Sequence, residues 1–295
     1  GSEMCIRDRY EGDRNAIVLT SGGPDSVTLL YYVAKVLNPK HVVAIHADYG
    51  QRMMEMERLG VLKNVEHLRN LGYNIETKLI DIRWLGSLST SKLVREVEIP
   101  EKPTHKLSDP QAASERILWW WDVVRNLQLI TIGLAHAESY DLRNYIEERN
   151  RKIYDVYIGI RRETPVTMKD NTPEFIEEMN RVAEVSTHFG GYKVYAPFIN
   201  LDKDAIIRLG HYLGVKFEFT FSCYTNTKIW EVHPVVKEKV LLHCGYCSNC
   251  KRRAIAFAKA GVPDPTLYLR NPNIQGVEYE KREKYWIDSK ALKKE

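Results

Sequence analysis

Long apolar runs are missing from this chain. No stretch approaches the roughly 20 residues that a bilayer crossing needs, and the richest, Ile117 to Val124, is broken by Asp122. No membrane partner is therefore expected. A secretory leader pattern is also missing, so the cytoplasm is the expected location. Charge of one sign is scarce: 43 Lys and Arg stand against 39 Asp and Glu, a net of +4. So mild a balance does not point to nucleic acid, and the one dense basic triplet, Lys251 to Arg253, is the kind of run that usually forms a solvated face. Neither a Gly-Lys-Ser/Thr loop nor a dinucleotide fingerprint is found. Internal repeats and low-complexity tracts are absent as well. Cysteine is rare, yet four of the five lie between Cys223 and Cys250. In a cytoplasmic chain such clustering suggests metal rather than disulfides.

What remains is ordinary for a folded protein. The 295 residues are 44% apolar and 28% charged, enough for one large domain with an appendage. Residues 1–13 fit no element and read as a leader or cloning remnant, outside the fold. Residues 14–215 are expected to form a nucleotide-binding domain and residues 216–295 a cysteine-bearing C-terminal region.

The most informative segment is a buried-strand pattern, Ala16-Ile-Val-Leu-Thr20, running into Ser21-Gly-Gly-Pro-Asp-Ser26 and then an apolar helix, Val27 to Val36. Gly22 and Gly23 lack Cβ, so the backbone can bend and aim its N–H groups at an anion. The following helix directs its positive end to the same place. Ser21 and Ser26 offer hydroxyls, and Asp25 could hold Mg²⁺ or orient a ligand. A plain strand-to-helix turn would explain one Gly-Gly pair, but less well the whole six-residue string.

Strand and helix patterns then alternate. A run His41 to His46 leads to Ala47-Asp-Tyr-Gly-Gln-Arg52, followed by an amphipathic helix from Met54 to Leu71 closed by Gly72 and a strand from Asn74 to Ile82. Such alternation predicts a parallel sheet with right-handed crossovers, with ligands beyond the carboxyl ends of its strands, where Ser21 and Asp48 would lie. Ser87 to Ala113 reads as a long, lid-like loop. A helix is expected over Ser114 to Ser139, apolar nearly all round in its middle and hence buried. A strand is expected over Asp155 to Ile160, a helix from Thr172-Pro-Glu-Phe175, a strand-like run over Val194 to Ile199 and a helix over Lys203 to Leu213.

Cys244-Gly-Tyr-Cys247-Ser-Asn-Cys250, with Cys223 upstream, supplies four thiolates for a structural zinc site. An iron–sulfur cluster, free buried cysteines and a redox Cys-x-x-Cys pair are the alternatives. His233 and His243 are close enough in sequence to substitute as ligands, and Lys251 to Arg253 to offset thiolate charge.

Together these motifs resemble the QueC family of the PP-loop ATPases, over about Ala16 to Thr266. The resemblance rests on Ser21 to Ser26, Asp48-Tyr-Gly-Gln-Arg52, Arg125-Asn126, Gly159, Pro197 with Leu201-Asp-Lys203, Ser222-Cys-Tyr224, and Cys244 to Cys250 with Arg253, Phe257 and Ala260-Gly261. It implies an α/β fold with a parallel sheet flanked by helices and a small zinc-binding helical region. It also implies an AMP-forming ligase that uses ATP and Mg²⁺ to adenylate 7-carboxy-7-deazaguanine, with ammonia displacing AMP on the way to a nitrile, and structural Zn²⁺. By the same resemblance Asp25, Ser26 and Lys203 are the candidate catalytic residues. Ser21, Gly22, Gly23, Asp48, Arg52 and Arg125 would join Asp25 and Ser26 on ATP, and Asn126, Gly159, Asp170 and Phe175 would contact the deazaguanine. Family members that resemble the chain often form homodimers.

The chain departs from the family pattern near the substrate. Thr167-Met-Lys-Asp-Asn-Thr172 stands where the family has Gly-Tyr-Pro-Asp-Cys-Arg, Val123-Val124 replaces a Pro-Gly, and the link from Tyr224 to His243 is long. Two acceptors thus stay open, ammonia and a protein amino terminus of the kind used by QueC-like anti-phage enzymes. A tRNA-modifying PP-loop enzyme and a non-catalytic binding module are further alternatives.

Overall fold

The computed structural model describes residues 14–95, 121–162, 167–225 and 228–293. At its centre is a five-stranded parallel sheet: β1 (Asn15–Leu19), β2 (Val42–Asp48), β3 (Ile75–Asp81), β4 (Tyr154–Ile158) and β5 (Val194–Tyr195), in the order β3-β2-β1-β4-β5. β1 and β4 are buried along their whole length, as near-continuous apolar strands covered on both faces should be.

The pleat sorts β1 between two cores. Ala16 and Val18 pack with α1 (Pro24–Tyr32), α2 (Met54–Asn70), α6 (Lys203–Leu213) and α7 (Ser248–Ala260). Ile17 and Leu19 face α4 (Arg125–Glu148) and α5 (Pro173–Ser186) on the other side. A short α3 (Arg83–Leu88) follows β3. The chain moves outward from β1 to β3, then restarts at β4 on β1's other side, so the sheet's switch point lies between β1 and β4. Ligands bind outside the strand ends at such a point.

Four element boundaries differ from the sequence expectation. α1 begins at Pro24, inside the glycine loop, and its last turn, Val33–Leu37, widens into a π-helix ended by left-handed Asn38. The long helix starts at Arg125 and runs to Glu148, past Ser139; of its expected span, 114–120 lies outside the described residues. It is also not buried all round: Asn126, Ile130, Gly133, Leu134, Ala137 and Asp141 form one buried stripe. The run Val194 to Ile199 pairs only at Val194–Tyr195. Pro197 cannot donate to a ladder, and a turn forms instead, with Ile199 N–H donating to Ala196 O at 3.0 Å. The expected lid begins as α3 and an ordered turn through Arg95, while 96–113 lies outside the described residues.

The C-terminal region adds two antiparallel hairpins to its helix, β6 (Trp230–Val232) with β7 (Lys239–Leu241), and β8 (Tyr279–Lys281) with β9 (Trp286–Asp288). The fully buried Arg253 of α7 ties it together. Its guanidinium donates to Thr266 Oγ1 (2.7 Å), Thr220 Oγ1 (2.9 Å), Ser222 Oγ (3.1 Å) and Phe217 O (2.9 Å). Arg253 thus joins α7 to the segments 217–222 and 264–266 of this region. No helix among the described residues is long and apolar enough to cross a membrane.

Candidate active site and metal centre

A cleft of about 290 Å³ opens at the carboxyl ends of β1, β2 and β4. Its loop side is the segment Ser21 to Ser26. Gly22 takes φ 78, and a Cβ there would run into the main chain of Glu57 on α2, so only glycine lets loop and helix meet this closely. The loop closes on itself: Ser21 N–H donates to Ser26 Oγ at 3.0 Å, Ser21 Oγ lies 3.0 Å from Ser26 Oγ, and Ser26 O–H reaches Gly23 O at 3.3 Å. Gly23 is the N-cap of α1 and supplies no side-chain cap. The first-turn amides of α1 are therefore left to an anion in the cleft. Gly159, just after β4, packs its backbone against Ser26, where a Cβ would sit 3.0 Å from the Ser26 Cα.

Asp25 is the charged centre of this end. Lys203 Nζ approaches its Oδ2 at 3.6 Å and Arg161 Nε at 3.5 Å, while its Oδ1 is buried without a hydrogen-bond partner. A carboxylate oxygen left in this state fits a cation ligand. Beside it, two basic side chains stand ready for phosphate charge.

Of the residues expected at the site, Ser21, Gly23, Asp25, Ser26, Arg125, Asn126, Gly159 and Lys203 line this cleft. Gly22 shapes the loop from behind. Asp48 lies at the end of β2, where its Oδ1 accepts from Gly50 N–H at 2.9 Å and its Oδ2 is 3.9 Å from Arg83 Nε, and neither it nor Arg52 is among the lining residues. Asp170 also stands off the lining, opposite Arg125 and Asn126. Burial pushes its carboxyl up, Arg125 opposes that, and Oδ1 is buried without a hydrogen-bond partner. Asn126 Nδ2 donates to Asn171 Oδ1 at 3.1 Å. Phe175 sits in the first turn of α5 and packs against the sheet's second core, away from the cleft.

The cleft also contains residues not expected from the sequence. Tyr49 carries Arg125 against its ring at 5.8 Å, and Arg125 Nη1 bonds Asp122 Oδ2 at 3.0 Å. Burial raises the Tyr49 hydroxyl's pKa, so it stays protonated. His46, at 2% exposure, donates from Nδ1 to Thr20 O at 2.8 Å. A carbonyl can only accept, so the tautomer is fixed, and burial lowers the ring's pKa and keeps it neutral. Gln51 accepts from Tyr49 N–H at 2.9 Å and donates to Ala47 O and to Glu57 Oε2, each at 3.0 Å. Burial pushes the Glu57 carboxyl up to about 7, against the pull of Gln51 and Arg125.

Cys223, Cys244, Cys247 and Cys250 are all buried, and their four Sγ atoms lie within 4.8 Å of one another. Cys244 Sγ and Cys250 Sγ are 3.8 Å apart. A tetrahedron of metal–sulfur bonds of about 2.3 Å has edges of about 3.8 Å, so the donor set fits Zn²⁺. Backbone N–H groups support the sulfurs as they would thiolates: Cys244 N–H donates to Cys223 Sγ (3.4 Å), Cys247 N–H to Cys244 Sγ (3.2 Å) and Cys250 N–H to Cys247 Sγ (3.4 Å). Neither nearby histidine joins the group. His243 Nε2 accepts from Ser222 N–H at 3.1 Å, and His233 donates from Nε2 to Pro265 O at 2.8 Å. The metal centre and the cleft share a wall, because Cys223, Tyr224 and Asn249 line the latter.

The family model of the queuosine biosynthesis protein QueC matches residues 15–261. The 7-cyano-7-deazaguanine synthase of Methanothermobacter thermautotrophicus is 34% identical over 253 residues, 86% of this chain and 98% of that protein. Its counterpart in Methanocaldococcus jannaschii is 33% identical over 259 residues, 86% of this chain and 99% of that protein. Among solved structures, the U34-tRNA thiolase NcsA from Methanococcus maripaludis aligns at TM-score 0.34 with 14% identity, over 73% of this chain and 63% of that one. An NH3-dependent NAD synthetase from Campylobacter jejuni aligns at 0.32 with 15% identity, over 74% and 72%. Similarities of that size add nothing to the argument. With the family model spanning most of the chain, and relatives matched over nearly their whole length, the chain belongs to the QueC family of queuosine biosynthesis proteins.

Proposed function

We propose that the chain is an AMP-forming ligase that adenylates 7-carboxy-7-deazaguanine and transfers the acyl group to ammonia, on the way to 7-cyano-7-deazaguanine. The observation that carries this reading is the meeting of the Ser21 to Ser26 loop with Asp25 and Lys203 at one cleft, with Arg161 approaching Asp25, in a chain related to 7-cyano-7-deazaguanine synthases.

A carboxylate resists attack because its oxygens carry negative charge. Adenylation removes this obstacle: a carboxylate oxygen attacks the α-phosphorus of ATP, the bond to the β-phosphate breaks, and pyrophosphate leaves. The loop amides and α1's first turn would bind the departing phosphates, and Lys203 and Arg161 would offset their growing charge. Asp25 would hold Mg²⁺, which supplies further charge neutralisation when bound. Asn126 and Gly159 would border the deazaguanine.

The test is incubation with ATP, Mg²⁺ and 7-carboxy-7-deazaguanine, with and without ammonia, followed by measurement of AMP and product mass. The expected result is AMP that depends on the acid, with amide and nitrile appearing only when ammonia is present. Ser26→Ala and Asp25→Ala should each lower AMP formation by at least about 10²-fold. AMP formed without any ammonia-derived product would redirect the reading to a protein amine, an acceptor consistent with the altered 167–172 segment.

A further inference from the structure

The cleft holds one acidic group that adenylation does not use. Glu57 lies on α2 beside Tyr49, Gln51, Met53 and Phe221, all of which line the cleft with it. The cations around Asp25 come from other places, α6 and the segment after β4. A carboxylate is the wrong sign for gripping phosphate, yet this one is held in a fixed position. The Gln51 amide is anchored by Tyr49 N–H and Ala47 O, and its remaining donor reaches Glu57 Oε2 at 3.0 Å. Glu57 Oε1 accepts no hydrogen bond among the described residues.

We propose that Glu57 is the general base of acyl transfer, its carboxylate taking the proton that the attacking amine must lose. The inference rests on the adenylation reading above. The amine nitrogen forms a bond to the acyl carbon, the bond from that carbon to the AMP oxygen breaks, and AMP leaves with the electron pair. The proton from nitrogen moves to Glu57, which completes the balance. An amine arriving as its ammonium ion gives its extra proton to water before attack, so Glu57 takes only the one proton lost in acyl transfer.

The surroundings poise the group for this work. Burial raises its pKa to about 7, while Gln51 and the positive Arg125 lower it and Asp122 raises it. Tyr49, also facing Glu57, stays neutral. A base with pKa near the working pH is deprotonated often enough to act and basic enough to accept.

Glu57→Gln keeps the size and the contact with Gln51 but cannot accept a proton. Two readouts separate its role from scaffolding: acid-dependent exchange of labelled pyrophosphate into ATP, and single-turnover amide formation from the preformed adenylate. Amide formation should fall by about 10²-fold or more relative to exchange. The acid limb of its pH profile, centred at about 7 in the parent, should vanish. Hydroxylamine, whose adduct nitrogen is more acidic than that of ammonia and gives its proton to water more readily, should lose much less. If the Gln variant does not fold, Glu57→Asp should give a slower amide step that retains its acid limb. Equal losses in both readouts, or an unchanged amide step, would overturn the role of Glu57. Absence of exchange in the parent would instead overturn adenylation itself.

Discussion

At the scale of single residues, the sequence located the loop side of the site and missed much of the opposite wall. Ser21, Asp25 and Ser26 were legible because a strand, a glycine pair and a helix start converge on them in one short string. In Asp48-Tyr-Gly-Gln-Arg52 the motif was legible but not its facing: the left-handed turn at Gly50 places Tyr49 and Gln51, rather than Asp48 and Arg52, on the cleft. Glu57 belongs to a charged run, Glu55 to Arg58, that reads as a solvated helix face. Only the tight packing of α2 on Gly22 draws it into the cleft. Its raised pKa has a consequence for stability. A carboxyl whose pKa rises on folding stabilises the fold fully below its ordinary value near 4.5, and that contribution is lost as pH rises through about 7. Glu57→Gln should therefore match the parent in denaturant unfolding in acid. At alkaline pH it should be more stable by on the order of 3 kcal/mol.

At the scale of elements, periodicity placed β1 to β4 and α2 well, overextended β5, gave no sign of the C-terminal hairpins, and failed where backbone conformation sets the boundary. The long helix could not be started correctly from its apolar pattern, because the turn before it is set by Val124, which adopts φ 45 as its N-cap. A β-branched residue is rarely left-handed, and the family pattern has glycine at this position. Val124→Gly should relieve that strain by about 1 kcal/mol net of glycine's own entropy cost, read as a higher melting temperature. The reverse holds at Gly22, where φ is 78 and the main chain of Glu57 leaves no room. Gly22→Ala should lower stability by about 2 kcal/mol or more and weaken ATP binding in calorimetry, since loop and helix must move apart.

At the scale of the whole molecule, the sheet, the metal centre and the cleft are one assembly. Cys223 and Asn249 line the cleft, and the cysteines pack in one cluster with Met53, the N-cap of α2, and Met56 within it. That shared wall was not legible in the sequence, where the loop and the cysteine cluster lie about 200 residues apart. Structural zinc contributes folding energy directly. Cys247→Ser or a strong chelator should release about one equivalent of metal and unfold residues near α7, with ATP affinity falling in parallel. Retained ATP affinity in a metal-free protein would separate the two centres. The central claim is that the carboxylate itself attacks ATP, and its most direct test is the fate of carboxyl oxygen. With 7-carboxy-7-deazaguanine labelled with ¹⁸O in its carboxyl group, AMP formed in the presence of ammonia should carry one ¹⁸O in its phosphate. Unlabelled AMP, or label recovered in inorganic phosphate, would contradict the account.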